Sequence, residues 1–396
     1  MRASLAPCCL ALLPVVAWPG LDQPFSLPKL VVIVTCSLVL AALPAPLPWR
    51  AIPPTMRWAA GVWAASFVVS GLLAPLPALG PLVLGLAAPL LAVAAVRQSR
   101  GESLVRAAAL GATVCAVVAV FQWCGVDPIT WLGWSAPIDG ASVRMRVYGT
   151  LGNPNFVGVL MAMSLPLTAA VHRQSTAPLR TRMWEGALAL QAVALVATGS
   201  RGAVLGLAAA IVTYASLRWS PRVRAALAAL VVFGAGAIAL SPARPIDTTI
   251  AGRLHLWRVA APHAVERPVA GWGPGAVTLR FGEWQRDAAR AGVRDPRFAG
   301  STDHVHNDYL EALIDRGVPG LVSVLLPLAL TILLVVRYAR PVSPVLAGAA
   351  AAVAAGAACA LVDFPLARPV ELTWWWLALA IALVSTRDYP TAVARR

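Results

Sequence analysis

Apolar stretches close to a membrane's thickness in helical length, with basic residues near one end, recur along this chain. A helix needs about 20 mainly apolar residues to cross about 30 Å of hydrocarbon, and lipid offers its backbone no other hydrogen-bond partner. Twelve stretches fit: residues 4–20, 28–44, 58–75, 79–96, 104–124, 155–171, 184–199, 202–217, 224–241, 317–336, 342–361 and 370–386. The first two are short and interrupted by proline. Residues 1–20 also suit a signal peptide that starts at Arg2, although no clean small-residue cleavage site follows. Only 12% of the chain is charged, against about 25% in soluble domains, which excludes an ordinary cytosolic enzyme. The formal net charge of +15 would suggest nucleic acid if it lay on one soluble face. A mean hydropathy of +0.73 assigns those charges to the ends of spans instead, so no nucleic-acid partner is expected.

The charges also orient the chain. With the amino terminus inside, seventeen basic residues of the short loops face the cytoplasm and five (Lys29, Arg144, Arg146, Arg201 and Arg368) face out. That bias predicts two cytoplasmic termini. The long segment 242–316, with nine acidic and ten basic residues, then lies outside. Within it, Leu279 to Ala291 alternate apolar and charged residues at helical spacing, as a helix on the membrane face or a solvated loop helix would. In the outer segment 125–154, Trp131, Trp134 and Tyr148 read as headgroup-level anchors. The six cysteines sit in or beside apolar runs and read as small buried hydrophobes rather than a disulfide framework.

Polar groups at the outer ends of spans are costly and therefore informative. Four clusters stand out. Gly149 to Asn155 fits a turn with an asparagine cap, or a polar surface beside a ligand headgroup. The Ser200-Arg201-Gly202 turn sets an arginine at the outer interface, where it snorkels to lipid or meets a ligand. Arg253 and Trp257 share a helix face, either as a cation and aromatic pair or with Arg253 binding an anion; Arg258 and the run Gly271 to Gly275 follow. Last come Asp303, His304, His306, Asn307, Asp308, Tyr309 and Glu311, then Asp315 to Gly320. The two histidines invite comparison with a metal site, but no third strong ligand stands near them, so a catalytic imidazole or a hydrogen-bond network is the better expectation.

Together these elements resemble the O-antigen ligase and polymerase superfamily of bacterial envelope glycosyltransferases, over about residues 145–370. His306-Asn307, nine residues, then Gly317-Val318-Pro319-Gly320 fits the family's His-Asn/Ser/Gln, nine positions, Gly-x-x-Gly pattern. The spacing of Arg253 and Trp257 with the later Gly271 to Gly275, Arg201 in Ser-Arg-Gly, and Asp363-Phe364-Pro365-Leu366 fit further family segments. The resemblance implies an all-α, polytopic membrane protein of about 12 helices: spans in 1–241 and 317–396, and a periplasmic loop at 242–316. It implies an enzyme without cofactor or metal. That enzyme transfers glycan from undecaprenyl diphosphate to a hydroxyl of lipid A core, inverting the anomeric centre, in the bacterial inner membrane among membrane lipids. His306 would be the base or the group that orients the acceptor, with Arg201 and Arg253 on the diphosphate and Arg258, Asn155, Asn307 and Tyr309 binding substrate. The same motifs serve glycan polymerases and ligases acting on protein. A small-anion transporter would also need many spans and buried arginines, but these polar residues gather at one face and no two matching halves with broken helices appear.

Overall fold

A computed structural model describes residues 5–74, 78–134, 147–219, 222, 246–337 and 342–386. Among them the chain forms thirteen α-helices and no strand. They are α1 (Leu5–Leu12), α2 (Leu27–Ala42), α3 (Pro54–Leu73), α4 (Leu79–Gln98), α5 (Gly101–Trp123), α6 (Pro154–Gln174) and α7 (Pro178–Thr198). Next come α8 (Arg201–Arg218), α9 (Ile246–Ala264), α10 (Ala276–Arg290), α11 (Asp308–Arg337), α12 (Pro344–Cys359) and α13 (Pro369–Ser385). Helices α3, α4, α5, α6 and α11 are long and apolar enough to cross a membrane; α2, α12 and α13 are apolar but shorter. The expected span at 224–241, both chain ends, Arg144 and Arg146 lie outside the described residues.

The first expected span is corrected. Only Leu5–Leu12 is helical there, because Pro14 and Pro19 have no amide hydrogen to extend the helix. Elsewhere the caps follow their residues. Asn153 accepts from the Asn155 amide and Pro154 opens α6; α7 ends at Gly199 with φ 62°; Ser200 caps α8 through the Ala203 amide. The centre of the bundle is α12, whose alanine-rich sequence has no polar face and is buried nearly all round. Small residues let its neighbours close in: a Cβ on Gly206 of α8 would stand 2.3 Å from Cys359 Sγ. Against it lies Trp375 of α13, buried with its neighbours Trp374 and Trp376, its indole donating to the Val353 carbonyl at 3.0 Å.

Outside this bundle, α9, α10 and residues 305–314 bury a second apolar core of Val259, Phe281, Trp284, Val305 and Ile314. The apolar side chains Val277, Phe281 and Trp284 of α10 are therefore spent on this core, while Leu279 stays exposed. Tyr148 and Trp134 likewise pack on Phe25 rather than reaching headgroups, while Trp131 stays exposed. Cys8 and Cys124 are exposed, not buried. The glycine run is tied to α11: Trp272 and Gly273 amides donate to the Ile314 and Asp315 carbonyls at 2.9 Å, and Val318 donates to Pro268 at 2.7 Å. The Asp315 carboxylate accepts from the Gly275 and Ala276 amides at 2.8 and 3.2 Å, where α10 begins. Helix α11 breaks at Gly317, φ 64°, where any Cβ would stand 2.4 Å from the Pro268 oxygen. That contact explains the glycine.

Candidate active site

Asn307 starts α11. Its side-chain oxygen accepts from the Tyr309 and Leu310 amides at 3.1 and 3.0 Å, a capping role that accounts for the residue type. The α11 start is pinned to the end of α12, since Asp308 N donates to the Ala360 carbonyl and the Asp308 carboxylate accepts from the Leu366 amide, at 2.9 and 2.8 Å. This brings the segment Asp363–Arg368 against the histidines.

His306 has φ 55°, the single non-glycine residue in the left-handed region among those described. Its buried Nδ1 lies 3.5 Å from Asp363 Oδ1, with its ring edge-on to Phe364. His304 turns elsewhere: its Nδ1 meets Glu311 Oε1 at 2.6 Å and its ring stacks on Phe364 at 4.0 Å. The two imidazoles do not converge on one point, and among the described residues no group of three or more His, Cys, Asp or Glu side chains could hold a metal ion.

Behind Asp363 stands Arg368, 4% exposed. It contacts Asp363 Oδ2 at 3.2 Å and Glu371 Oε1 at 3.3 Å, and its guanidinium lies 3.8 Å from the Phe156 ring and 4.8 Å from Phe364. Burial alone would raise the Asp363 carboxyl, but Arg368 and His306 outweigh it and hold the group below the ordinary carboxylate range. Burial would also depress His304, and the Glu311 carboxylate reverses this, so that imidazole titrates above its ordinary value.

The predicted residues fall at one end of the bundle to different degrees. Arg253, half-buried on α9, is within the field of Asp363, which opposes the lowering that burial imposes on its guanidinium. Arg201 is half-buried at the start of α8, and a Cβ on its neighbour Gly202 would lie 3.2 Å from Val362, one residue before Asp363. Asn155 is half-buried beside Phe156. Arg258 is exposed on α9, whereas Trp257 is committed to the fold, its indole donating to the Val305 carbonyl at 2.8 Å. The Tyr309 hydroxyl donates to the Ala357 carbonyl at 2.8 Å, tying α11 to α12. Below Asn307 and Tyr309 runs an apolar groove of about 670 Å³, walled by Leu205 and Val212 of α8, Leu321 and Leu325 of α11, and Ala354 of α12.

Residues 186–325 match the family model for O-antigen ligase. The match covers about a third of the chain and supports the O-antigen ligase and polymerase superfamily, a family of glycosyltransferase-like enzymes. It contains Arg201, Arg253, Arg258, the glycine run, His306, Asn307, Tyr309 and Gly317 to Gly320. A comparison with curated proteins gives no match. Three residues of the candidate site, Asp363, Arg368 and Glu371, lie beyond the matched segment, and sequence reading gave none of them a role. Glu371 carried a usable signal, a carboxylate next to three tryptophans in an apolar run, where an unpaired charge is costly.

Proposed function

We propose that the protein transfers a glycan from undecaprenyl diphosphate to a hydroxyl of lipid A core, on the periplasmic face of the bacterial inner membrane. The observation that carries this reading is the His306–Asp363 pair, with Arg253 nearby, at the polar end of an apolar groove. The groove suits a polyprenyl chain, and its polar end suits the diphosphate that the chain carries. Asp363, held ionised, keeps the Nδ1 of His306 protonated and leaves Nε2 to take the acceptor's proton. The acceptor oxygen attacks the anomeric carbon as the bond to diphosphate breaks, which inverts that centre. Arg253 and Arg201 receive the departing charge, a task that the planar guanidinium performs bidentately. Arg258, Asn155 and Asn307 border the same end and contact the substrates, and the Tyr309 ring packs on the donor's first isoprene units. No step in this scheme requires a metal. The charge bias of the short loops supports cytoplasmic termini and a periplasmic site.

Purified protein, offered an undecaprenyl diphosphate-linked glycan with lipid A core, tests this directly. Wild type is expected to transfer glycan in the presence of a chelator. His306→Ala is expected to lose about 10²- to 10⁴-fold in rate while reaching the membrane at normal levels, and His304→Ala much less. Elongation of the lipid-linked glycan without transfer to lipid A core would make the protein a polymerase. Full activity of His306→Ala would sink the assignment of the base.

A further inference from the structure

Cys9 of α1 and Cys36 of α2 bring their sulfur atoms to 2.6 Å. A disulfide bond is about 2.0 Å long, so a closure of about 0.6 Å joins them, and unbonded sulfurs rest much farther apart than this. Both helices are held in register from outside the pair. Helix α1 lies so close to α5 that a Cβ on Gly111 would stand 2.5 Å from the Ala11 oxygen. Helix α2 is fixed by Lys29, whose buried ammonium donates to the carbonyls of Val16 and Thr150, at 2.5 and 2.9 Å. The other four cysteines are differently engaged: Cys8 and Cys124 are exposed, Cys115 is buried on α5, and Cys359 donates to the Gly202 carbonyl at 3.3 Å.

We propose that Cys9 and Cys36 form an intramolecular disulfide that staples α1 to α2. The oxidant is a thiol–disulfide oxidoreductase in its disulfide form. One cysteine thiolate attacks a sulfur of that disulfide, giving a mixed disulfide and releasing one thiolate of the oxidant. The second cysteine's thiolate then attacks the first cysteine's sulfur and expels the oxidant as a dithiol, which takes up the two protons. The connection between the helices, residues 13–26, lies at the same end of the bundle as the candidate site. Its Pro14 carbonyl accepts from the Thr150 hydroxyl at 2.6 Å, and the turn from Thr150 leads through Asn153 and Asn155 to Phe156 under Arg368. The staple thus steadies the wall behind the site without touching the reacting groups. That end faces an oxidising compartment in the proposed orientation, and Cys36 lies about 13 Å from it along α2.

The test uses membranes quenched in acid, alkylated in denaturant without reductant and digested with trypsin. Lys29 divides the cysteines conveniently, leaving Cys8 and Cys9 on fragment 3–29 and Cys36 on fragment 30–50. Mass spectrometry is expected to find the two fragments joined and to find them apart after reduction. The link should persist in Cys8→Ser and vanish in Cys9→Ser and in Cys36→Ser. Wild type should also lose several degrees of thermal midpoint on reduction, and Cys36→Ser should be insensitive to the reductant. Alkylated Cys9 and Cys36 in never-reduced wild-type protein, or a link that survives Cys9→Ser through Cys8, would overturn the proposal. The wild-type measurement decides even where a serine variant does not accumulate.

Discussion

Arg368 and Arg316 are 4% and 6% exposed, and each lies against two aromatic rings, Phe156 and Phe364 for the first, Trp63 and Phe67 for the second. Their polar partners differ. Arg368 faces the carboxylates of Asp363 and Glu371, while Arg316 donates to the hydroxyls of Ser66 and Ser323 at 3.0 and 3.2 Å. Each serine passes its own proton to a carbonyl one turn back, of Trp63 and Gly320 respectively. That network is closed: it ties α3 to the break in α11 and ends there. The carboxylate network stays open at one side, because Asp363 still faces His306. A buried arginine with neutral partners is a strut, and one with a shared carboxylate can orient a reacting group.

The comparison breaks most visibly at the shared carboxylate. Asp363→Asn keeps the shape but removes the charge that, in the proposed mechanism, selects the imidazole tautomer, and transfer should fall by about 10²-fold or more. A near-normal rate in the purified assay would mean that His306 is oriented by something else. Next in size is the leaving-group side. Arg253→Lys retains charge but loses the fork, which should cost about 2 kcal/mol of transition-state stabilisation, about 30-fold in rate. Adding Arg201→Lys should cost less than the sum if both act on one diphosphate. Unchanged single variants would shift the diphosphate site elsewhere. At the strut, Ser66→Ala with Ser323→Ala strips Arg316 of both acceptors and should lower stability by about 3 kcal/mol, with turnover per folded molecule within about twofold. A tenfold fall in turnover at intact stability would erase the distinction between the arginines.

The smallest effect concerns the second histidine. His304 titrates above its ordinary value in the folded protein, so its pairing with Glu311 stabilises fully below about pH 6.5, the unfolded imidazole value, and loses that contribution as pH rises through the folded value. Thermal midpoints of wild type and Glu311→Gln should differ more at pH 5.5 than at pH 9, by a few degrees. Part of the difference should persist at high pH, since Glu311 also accepts from the Val305 amide at 3.0 Å. A difference that widens with pH would refute an ionic pair.

Helices α3 to α6 were legible because lipid imposes one length and one composition, and the turn at Thr198 to Gly202 was legible because its capping residues act locally. The site was legible only in part. Arg201, Arg253 and His306 stand out as polar residues in recognisable motifs, but the partnership of His306 with Asp363 is set by contacts from Asp308 to Ala360 and Leu366, far apart in sequence. No local pattern encodes such a register. Glu371 and Arg368 were hidden for another reason: hydropathy averaged over a span absorbs one carboxylate, and an arginine in a loop counts simply as a charge. The apolar face of α10 shows the limit of periodicity, which identifies a face to be buried but not whether lipid or protein covers it.

His306 keeps its backbone where glycine sits freely and a side chain costs about 1 kcal/mol. Folding alone would favour glycine there, since the bend, the cap by Asn307 and the descent into α11 need only the backbone. If His306 is the proposed base, a lineage relieved of that chemistry would be free to exchange the imidazole for glycine and become sturdier for it.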